Sequence, residues 1–383
     1  MMKITGIRPI LLRDSYEESE RWFFPGGGST GWNAALIEIQ TETGLTGLGE
    51  SIAGSTAPAA FLGMVNQMQA LLIGAEALDR DGLTAKIRKA GVYWATSGIG
   101  AGVLSALDIA LWDIAGKAAG VPVYELLGGA TRSSIPIYVS GGFSQPPASF
   151  DAEMEKWVNA GFRSVKIRAF GSASEVIAII ERARSVLGDE IELMVDLAAN
   201  FLPKPYDVSA ALEVALGIER LNIAFLEEPL PSDDVQGYAT LVRASPVQIA
   251  GGESVSCREQ FELLFQARAL HLAQPDPTHC GGISAVRDIA KKALKHSVRM
   301  APHAWGSGIS LMASLHLSAA IGSLEICEYC GVANRLQTGL METPLQMVEG
   351  RVELPREAGL GVRLTSEMEN RYGQTDTTFA PTY

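Results

Sequence analysis

The sequence predicts an α/β protein built on a closed barrel of β–α units, with a separate strand-and-helix unit ahead of it. From about Ile135 to Cys330, short apolar strands alternate with amphipathic helices, the pattern of a parallel sheet. Eight strand candidates fit in that stretch, which favours closure into a barrel over an open sheet. A polar or charged residue stands at the carboxyl end of almost every one, where barrels of this kind assemble their active sites. The 383 residues hold such a barrel, roughly 250 residues in size, plus a second domain.

In chain order, Met2–Leu12 reads as a strand, and Ala34–Gln40 with Leu45–Gly49 as a hairpin turning at Glu42, Thr43 and Gly44. The glycine-rich, aromatic and charged stretch Asp14–Trp32 between them is long enough to act as a mobile lid. Three helical stretches follow. The clearest is Leu104–Ala119, where Leu104, Leu107, Leu111 and Ile114 recur with helical spacing. The barrel strands are expected at Ile135–Val139, Ser164–Ile167, Glu192–Val195, Ala224–Leu226, Gln248–Ala250, His271–Ala273, Arg299–Ala301 and Leu324–Cys327. Among the intervening helices, Ser284–His296 keeps Val286, Ile289, Ala290 and Ala293 on one face. The tail after Leu340 lacks the alternation and is expected to return to the N-terminal unit.

Composition narrows the function classes. A formal charge of −12, with no basic cluster to offset it, argues against nucleic acid or an anionic membrane as partner. Cys257, Cys280, Cys327 and Cys330 are few for this length and fit a reducing compartment. The C-x-x-C at Cys327–Cys330 has no second pair and no accompanying histidine pair, so it reads as buried thiols. Met1–Arg13 has no signal-peptide core, and a cytoplasmic location is expected. Trp305–Leu324 carries no Asp, Glu, Lys or Arg, yet its His316, serines and glycines suit a buried barrel helix better than a membrane span. The glycine runs at Gly98–Gly102 and Gly306–Gly308 read as helix-entry turns rather than as nucleotide loops or nucleophile elbows.

The strand ends carry the chemistry. Asp196, Glu227 and Glu253 end consecutive strands, about one β–α unit apart, so the three converge above neighbouring strands. Any one of them alone would be read as a helix cap or the partner of an arginine. Three in phase repel one another and call for a cation. With oxygen donors, no cysteine and no second histidine, that cation is Mg²⁺, with Mn²⁺ as the alternative. Glu228 is placed behind these ligands. Lys166 and Arg168 lie two apart on a strand and face the barrel interior together. A neighbouring guanidinium and metal are expected to lower the Lys166 pKa and free its amine as a base, while Arg168 only stabilises charge. The plainer reading pairs Lys166 with Asp196 or Glu227. Asp276 and His303, again one unit apart, form a candidate dyad in which the carboxylate fixes the imidazole tautomer. His271, His279, His296 and His316 have no such partner in phase.

These residues, in this order, resemble the enolase superfamily, and the lysine with the Asp–His pair resembles its mandelate racemase subgroup. The resemblance covers nearly the whole chain, through Ile37-Glu38, Gly47-Leu48-Gly49-Glu50, Ala110-Leu111-Trp112-Asp113, Gln274-Pro275-Asp276, Gly281-Gly282 and Pro302-His303. It implies a (β/α)7–8 TIM-like barrel at 126–335 and an N-terminal α+β capping domain at 1–125, completed by the C-terminal segment 336–383. Lid loops Asp14–Trp32 and Glu50–Ala57 would close over the substrate. It also implies Asp196, Glu227 and Glu253 as metal ligands, Lys166 and the Asp276–His303 pair as proton-transfer groups, and Glu328 as an acid that hydrogen-bonds the substrate carboxylate, with Glu325 the near alternative. Arg21, Ser29, Glu50, Asn200, Glu228 and Trp305 are the expected substrate-binding set, and a homo-oligomer is expected.

Two departures from the subgroup stand out. Arg168 replaces a second lysine, which makes symmetric racemisation less secure, and Ala198 stands where an asparagine is common. The reaction expected is abstraction of the proton beside a carboxylate through an ene-diolate, with Lys166 or His303 as base. Dehydration of a sugar acid to a 2-keto-3-deoxy acid is the first reading, because the lid, with Arg21 and Ser29, reads as polar. A racemase or epimerase and a sugar-lactone cycloisomerase are the alternatives within the family; a non-catalytic ligand-binding barrel is the alternative outside it.

Overall fold

The computed structural model describes residues 2–375 and 377. An antiparallel sheet opens the chain, with β1 (Ile4–Ser15) and β4 (Gly31–Thr41) paired along their length and β5 (Thr46–Glu50) on the far side of β4. Between β1 and β4 a short ribbon, β2 (Trp22–Phe24) with β3 (Gly27–Ser29), occupies the stretch expected as a lid at 14–32. The base of that ribbon is tied down: Arg335 donates to Asp14 at 2.9 Å and also pairs with Glu20, and the Tyr16 hydroxyl donates to the Ala333 carbonyl. Helices α1 (Ile52–Thr56), α2 (Pro58–Leu72), α3 (Arg80–Ala90), α4 (Gly98–Ala119) and α5 (Val123–Leu126) follow.

Helix α4 starts six residues earlier than its clearest periodicity, and from Gly100 to Gly116 it is buried all round. It is apolar and long enough to cross a membrane, but here the sheet covers one side and barrel helices the other. Close approach to the sheet requires the glycines of β5. A Cβ on Gly49 would lie 1.8 Å from the Ala106 carbonyl oxygen, and one on Gly47 would lie 2.1 Å from that of Ala110.

The barrel runs β6 (Ser134–Gly141), α6 (Pro147–Asn159), β7 (Ser164–Arg168), α7 (Ala173–Leu187), β8 (Glu192–Asp196), α8 (Val208–Gly217), β9 (Ile223–Glu227) and α9 (Val235–Ala244). It continues through β10 (Ile249–Gly251), α10 (Arg258–Gln266), β11 (Leu272–Ala273), α11 (Gly282–Lys295), β12 (Arg299–Met300), α12 (Gly308–Ala320) and β13 (Cys327–Cys330). Each strand is parallel to its neighbour from β6 to β12, and β13 pairs back onto β6. A bridge from Met300 to Leu324, with Glu325 N–H on the Met300 carbonyl at 2.9 Å, joins the last two strands and closes the ring.

That bridge displaces the eighth strand from where it was expected. Leu324 and Glu325 are taken by β12, so the ladder with β6 begins only at Cys327, and Glu328 lies inside the strand rather than beyond its end. Glu325 points outward to Arg299. The floor of the barrel is a layer of Tyr138, Met194, Phe225, Ala250, Leu272 and Ala301. Local signals set the helix starts: Ser172 and Glu175 form a reciprocal capping box at α7, and Asp207 and Asp234 cap α8 and α9.

The tail divides its contacts between the two units. After α13 (Arg335–Gly339), the ribbon of β14 (Met347–Val348) and β15 (Arg351–Glu353) adds antiparallel to the first half of β6. Gly359 then bridges Pro122, α14 (Ser366–Tyr372) packs on β1, and Gly373 bridges Leu12. Residue 376 and residues 378–383 of the segment expected to return lie outside the described residues.

Candidate active site

The barrel register places the acids side by side. Arg168, Asp196 and Glu227 occupy one rung of the β7–β8–β9 ladder, and Glu253 follows β10 by two residues. One oxygen each from Asp196, Glu227 and Glu253 lies within 4.8 Å of the others. Two left-handed residues shape this rim, Ala198 with φ 42° and Glu228 with φ 43°, both unfavourable for side-chain-bearing residues and retained by the packing around them. The Ala198 amide donates to Asp196 at 2.7 Å, and the Gly252 amide to Glu228 at 2.9 Å. Gln274, at the end of β11, donates to Glu227 at 2.5 Å and orients that ligand from behind.

Proton-transfer groups flank the acids on two sides. On one, Lys166 Nζ lies 2.5 Å from Glu227 and 2.9 Å from Glu328, above the ring of Tyr138. On the other, His303 Nδ1 lies 2.6 Å from Asp276, whose second oxygen accepts from the Thr278 amide and hydroxyl at 2.6 Å each. The free Nε2 of His303 faces Glu253 at 3.3 Å, with Glu328 at 3.8 Å. Glu328 therefore stands between the two flanks, and the Ala304 amide holds its other side at 3.0 Å.

Burial and charge set the proton affinities. For Lys166, burial opposes the charged form, but Glu227 and Glu328 outweigh it and raise the pKa well above the ordinary lysine range. The depressed lysine expected from the sequence rested on a bound metal as well as Arg168, and the two carboxylates at contact distance act against it. For His303, burial again opposes charge, and Glu253, Glu328 and Asp276 raise the pKa to about 10. Glu227 is pushed up to about 8, first by burial and then by Asp196, Glu328 and Glu253, despite Lys166. Glu328 moves the other way: Lys166, His303 and Arg168 overcome its burial and hold it ionised.

A cavity of about 980 Å³, counted to its open mouth, lies above these groups. Arg168, Asp196, Glu253, His303, Ser29, Glu50 and Trp305 line it, whereas Lys166, Glu227, Glu228, Asp276 and Glu328 are buried behind that surface. Arg168 packs against two aromatic rings, Phe143 at 4.4 Å and Trp305 at 4.3 Å, and donates to Ser140 at 3.1 Å. The two rings lie 5.9 Å apart and meet the guanidinium from adjacent directions, restricting where it can swing.

The expected substrate-binding set divides. Trp305 faces the cavity. Glu50 lines it, but its carboxylate caps α12, accepting from the Ser307 amide at 2.9 Å, the Ser307 hydroxyl at 2.7 Å and the Ser310 amide at 3.0 Å. Burial outweighs those bonds and lifts Glu50 to about 7. Ser29 donates to the Gly31 carbonyl at 2.7 Å. Asn200 is exposed and bridges Glu228, Ser254 and Ser232, and Arg21 is exposed away from the cavity lining. The polar lid read from the sequence is thus aromatic on its inner side, through Trp22 and Phe24. Sequence reasoning missed these rings, Phe143 and Gln274. Gln274 had a signal in its place at a strand end, and Trp22 and Phe24 in the aromatic composition of the lid stretch; Phe143 sits on a loop with no periodicity to mark it.

Comparison with known proteins agrees with this architecture. Residues 149–368 match the model of the family described as enolase C-terminal domain-like, and residues 30–128 match that of the mandelate racemase / muconate lactonizing enzyme N-terminal domain. The chain is 30% identical to a D-galactarolactone cycloisomerase of Agrobacterium fabrum, covering 98% of this chain and 100% of that one. It is 31% identical to an arabinonate dehydratase of Saccharolobus solfataricus, covering 88% and 89%. Among solved structures, a racemase from Streptomyces coelicolor with bound magnesium superposes with a TM-score of 0.86 at 26% identity, covering 97% of this chain and 100% of that one.

Proposed function

Because this chain is an enzyme that belongs to the mandelate racemase subgroup of the enolase superfamily, we propose that it removes the α-proton of a sugar-acid carboxylate with the help of Mg²⁺ and then expels the β-oxygen. The capping unit is taken as 1–125, the barrel as 126–335 and the completing tail as 336–383. Asp196, Glu227 and Glu253 fit a hard dication: all three donors are oxygens, they converge, and their mutual repulsion in a buried setting asks for positive charge. Bound Mg²⁺ or Mn²⁺ would draw the charge of Glu227 away from Lys166 and stabilise the negative charge that develops on the substrate carboxylate.

Lys166 then takes the α-proton from one side. Arg168, packed against Phe143 and Trp305, holds the carboxylate end, while the ionised Glu328 behind it positions Lys166. His303, oriented by Asp276, donates a proton from the other side to the β-oxygen as the Cβ–O bond breaks and its electron pair departs with oxygen. When that oxygen belongs to a hydroxyl, the result is dehydration, and the enol becomes a 2-keto-3-deoxy acid. When it is a ring member, the same two steps open the ring, a second reading favoured by the aromatic wall of the cavity. The observation that carries the proposal is the 2.6 Å Asp276–His303 pair standing across the acid cluster from Lys166.

The test is incubation of the Mg²⁺-loaded enzyme with a panel of sugar acids and lactones in D₂O. Deuterium at Cα with keto-acid or ring-opened product is expected. Return of an inverted substrate with no elimination product would replace elimination with epimerisation. Prior chelation should abolish exchange, and Mg²⁺ should restore it.

A further inference from the structure

The end of β5 reaches from the capping sheet to the barrel mouth. Gly47 and Gly49 face α4, so strand alternation turns Leu48 and Glu50 the other way, toward the barrel core. Glu50 pairs with Leu36 on β4, and the close contact of both glycines with α4 leaves the strand end little freedom. Glu50 is thereby a buried carboxylate held at the seam between cap and barrel.

Its bonds go to the first turn of α12. Ser307 donates through its amide at 2.9 Å and its hydroxyl at 2.7 Å, and Ser310 through its amide at 3.0 Å. That turn begins four residues after His303, and each residue between has a fixed partner: the Ala304 amide on Glu328, Trp305 on Arg168, and the Gly306 carbonyl on Asn334 at 2.9 Å. Glycine at 306 lets the carboxylate approach, since a Cβ there would lie 2.5 Å from that of Ser310 and 3.1 Å from Glu50 Oε1. Two residues beyond Glu50, the Ile52 amide donates to the Thr278 carbonyl at 3.3 Å, and Thr278 is the residue whose amide and hydroxyl hold Asp276. Residues 50–52 therefore touch the loops of both members of the Asp276–His303 pair.

A helix cap does not require a carboxylate here. Ser307 already caps α12, its hydroxyl accepting from the Ile309 amide at 3.2 Å. Among the described residues no lysine, arginine or histidine forms an ion pair with Glu50, so its charge is buried on hydrogen bonds alone, a costly arrangement. What the charge supplies is stiffness: bonds to an ionised acceptor are stronger than neutral ones, and several of them on one turn fix its position and its direction.

Resting on the elimination proposed above, we infer that Glu50 is a positioning residue for His303, through which the capping unit sets where the imidazole stands over the β-oxygen. Glu50 exchanges no proton in the reaction; it acts through the 307–310 turn, while Ile52 keeps the Asp276 loop in step. Lys166 stands on β7 with Glu227, Glu328 and Tyr138 as its partners, so the step it carries out is the one that Glu50 leaves alone.

The test compares full-length, Mg²⁺-loaded Glu50→Gln with the parent on the panel of acids and lactones in D₂O. Elimination product and deuterium at Cα of recovered substrate are read from the same incubation, and amide hydrogen exchange of the peptide 302–311 is read by mass spectrometry. Glutamine keeps the size and one accepting oxygen but sets an NH₂ group against the donors of the turn. Elimination is expected to fall at least about tenfold, in kcat rather than KM, with Cα exchange retained within about threefold or increased. The 302–311 peptide should exchange at least about tenfold faster. Ser307→Ala, which removes the hydroxyl bond, should shift both readouts the same way by less, and it carries the test if Glu50→Gln does not fold. Asp113→Asn is the control: Asp113 accepts from the Leu48 and Leu360 amides away from the His303 loop, so this variant should melt earlier and leave both readouts as in the parent.

Elimination and Cα exchange falling in parallel, or unchanged exchange of the 302–311 peptide in folded Glu50→Gln, would overturn the inference. If the parent inverts its substrate instead of eliminating, inversion replaces elimination as the reading of His303. A parent that exchanges no α-proton on any acid sinks the proton abstraction instead, and the 302–311 peptide then decides by itself whether Glu50 holds the loop.

Discussion

Replacing Asp276 with asparagine probes the dyad directly. The carboxylate lies 2.6 Å from His303 Nδ1, and Glu253 and Glu328 are the other anions that raise His303 to about 10. A hydrogen bond to a charged group contributes about 1.5–3 kcal/mol, and one pKa unit corresponds to about 1.4 kcal/mol, so Asp276→Asn should lower the His303 pKa by about 1–2 units, to about 8–9. The sign for stability follows from the same shift. His303 is raised above its ordinary 6.5, so its contribution is complete below about pH 6.5 and is lost as the pH rises toward about 10. In the variant that loss should finish 1–2 units earlier, at about pH 8–9.

The pKa is measured by NMR titration of the histidine rings in metal-free protein, with His303→Asn assigning the resonance. Activity should fall further than the pKa shift alone implies. An amide at the Asp276 position can present its NH₂ to the ring and favour the tautomer that protonates Nε2, and elimination should drop by about 10²–10⁴. A His303 resonance that titrates unchanged in the variant, or elimination within twofold of the parent at neutral pH, would refute the dyad.

Lys166→Met keeps the reach of the side chain and removes its charge. It leaves Glu227 and Glu328 buried without their shared cation, so metal-free protein should lose about 3–5 kcal/mol in denaturant unfolding, and α-proton exchange should fall at least about 10³-fold. Exchange persisting in the folded variant would leave Lys166 a structural cation only. Gln274→Ala, which frees one oxygen of the ligand Glu227, should weaken Mg²⁺ binding by about 10–100-fold by calorimetry, and Glu227→Gln should weaken it further. Gly49→Ala should destabilise by at least about 1–3 kcal/mol, because its Cβ would sit 1.8 Å from the Ala106 carbonyl oxygen; an unchanged melting temperature would mean that β5 and α4 separate without loss.

Much of the architecture and most of the acidic cluster were legible before any coordinates. A parallel barrel repeats one unit, and residues at equivalent points of successive units must converge at one rim, so Asp196, Glu227 and Glu253 could be placed together from spacing alone. The same periodicity placed Asp276 beside His303, and the two-residue alternation of a strand put Lys166 and Arg168 on one face.

The eighth strand was misplaced by three residues because Leu324 and Glu325 pair with Met300, a choice between neighbours on which an apolar run is silent. That Lys166 meets Glu328 as well as Glu227 was hidden for a related reason: no rule of spacing supplies a distance between side chains on different strands, here 2.9 and 2.5 Å. The aromatic wall lay further still from view. Trp22 comes from the lid ribbon and Phe143 and Trp305 from two loops far apart in the chain, and only closure of the barrel beneath the capping sheet brings their rings together beside Arg168. Periodic elements announce themselves because each residue's direction follows from its neighbours in sequence. Loops acquire a direction only from what they fold against.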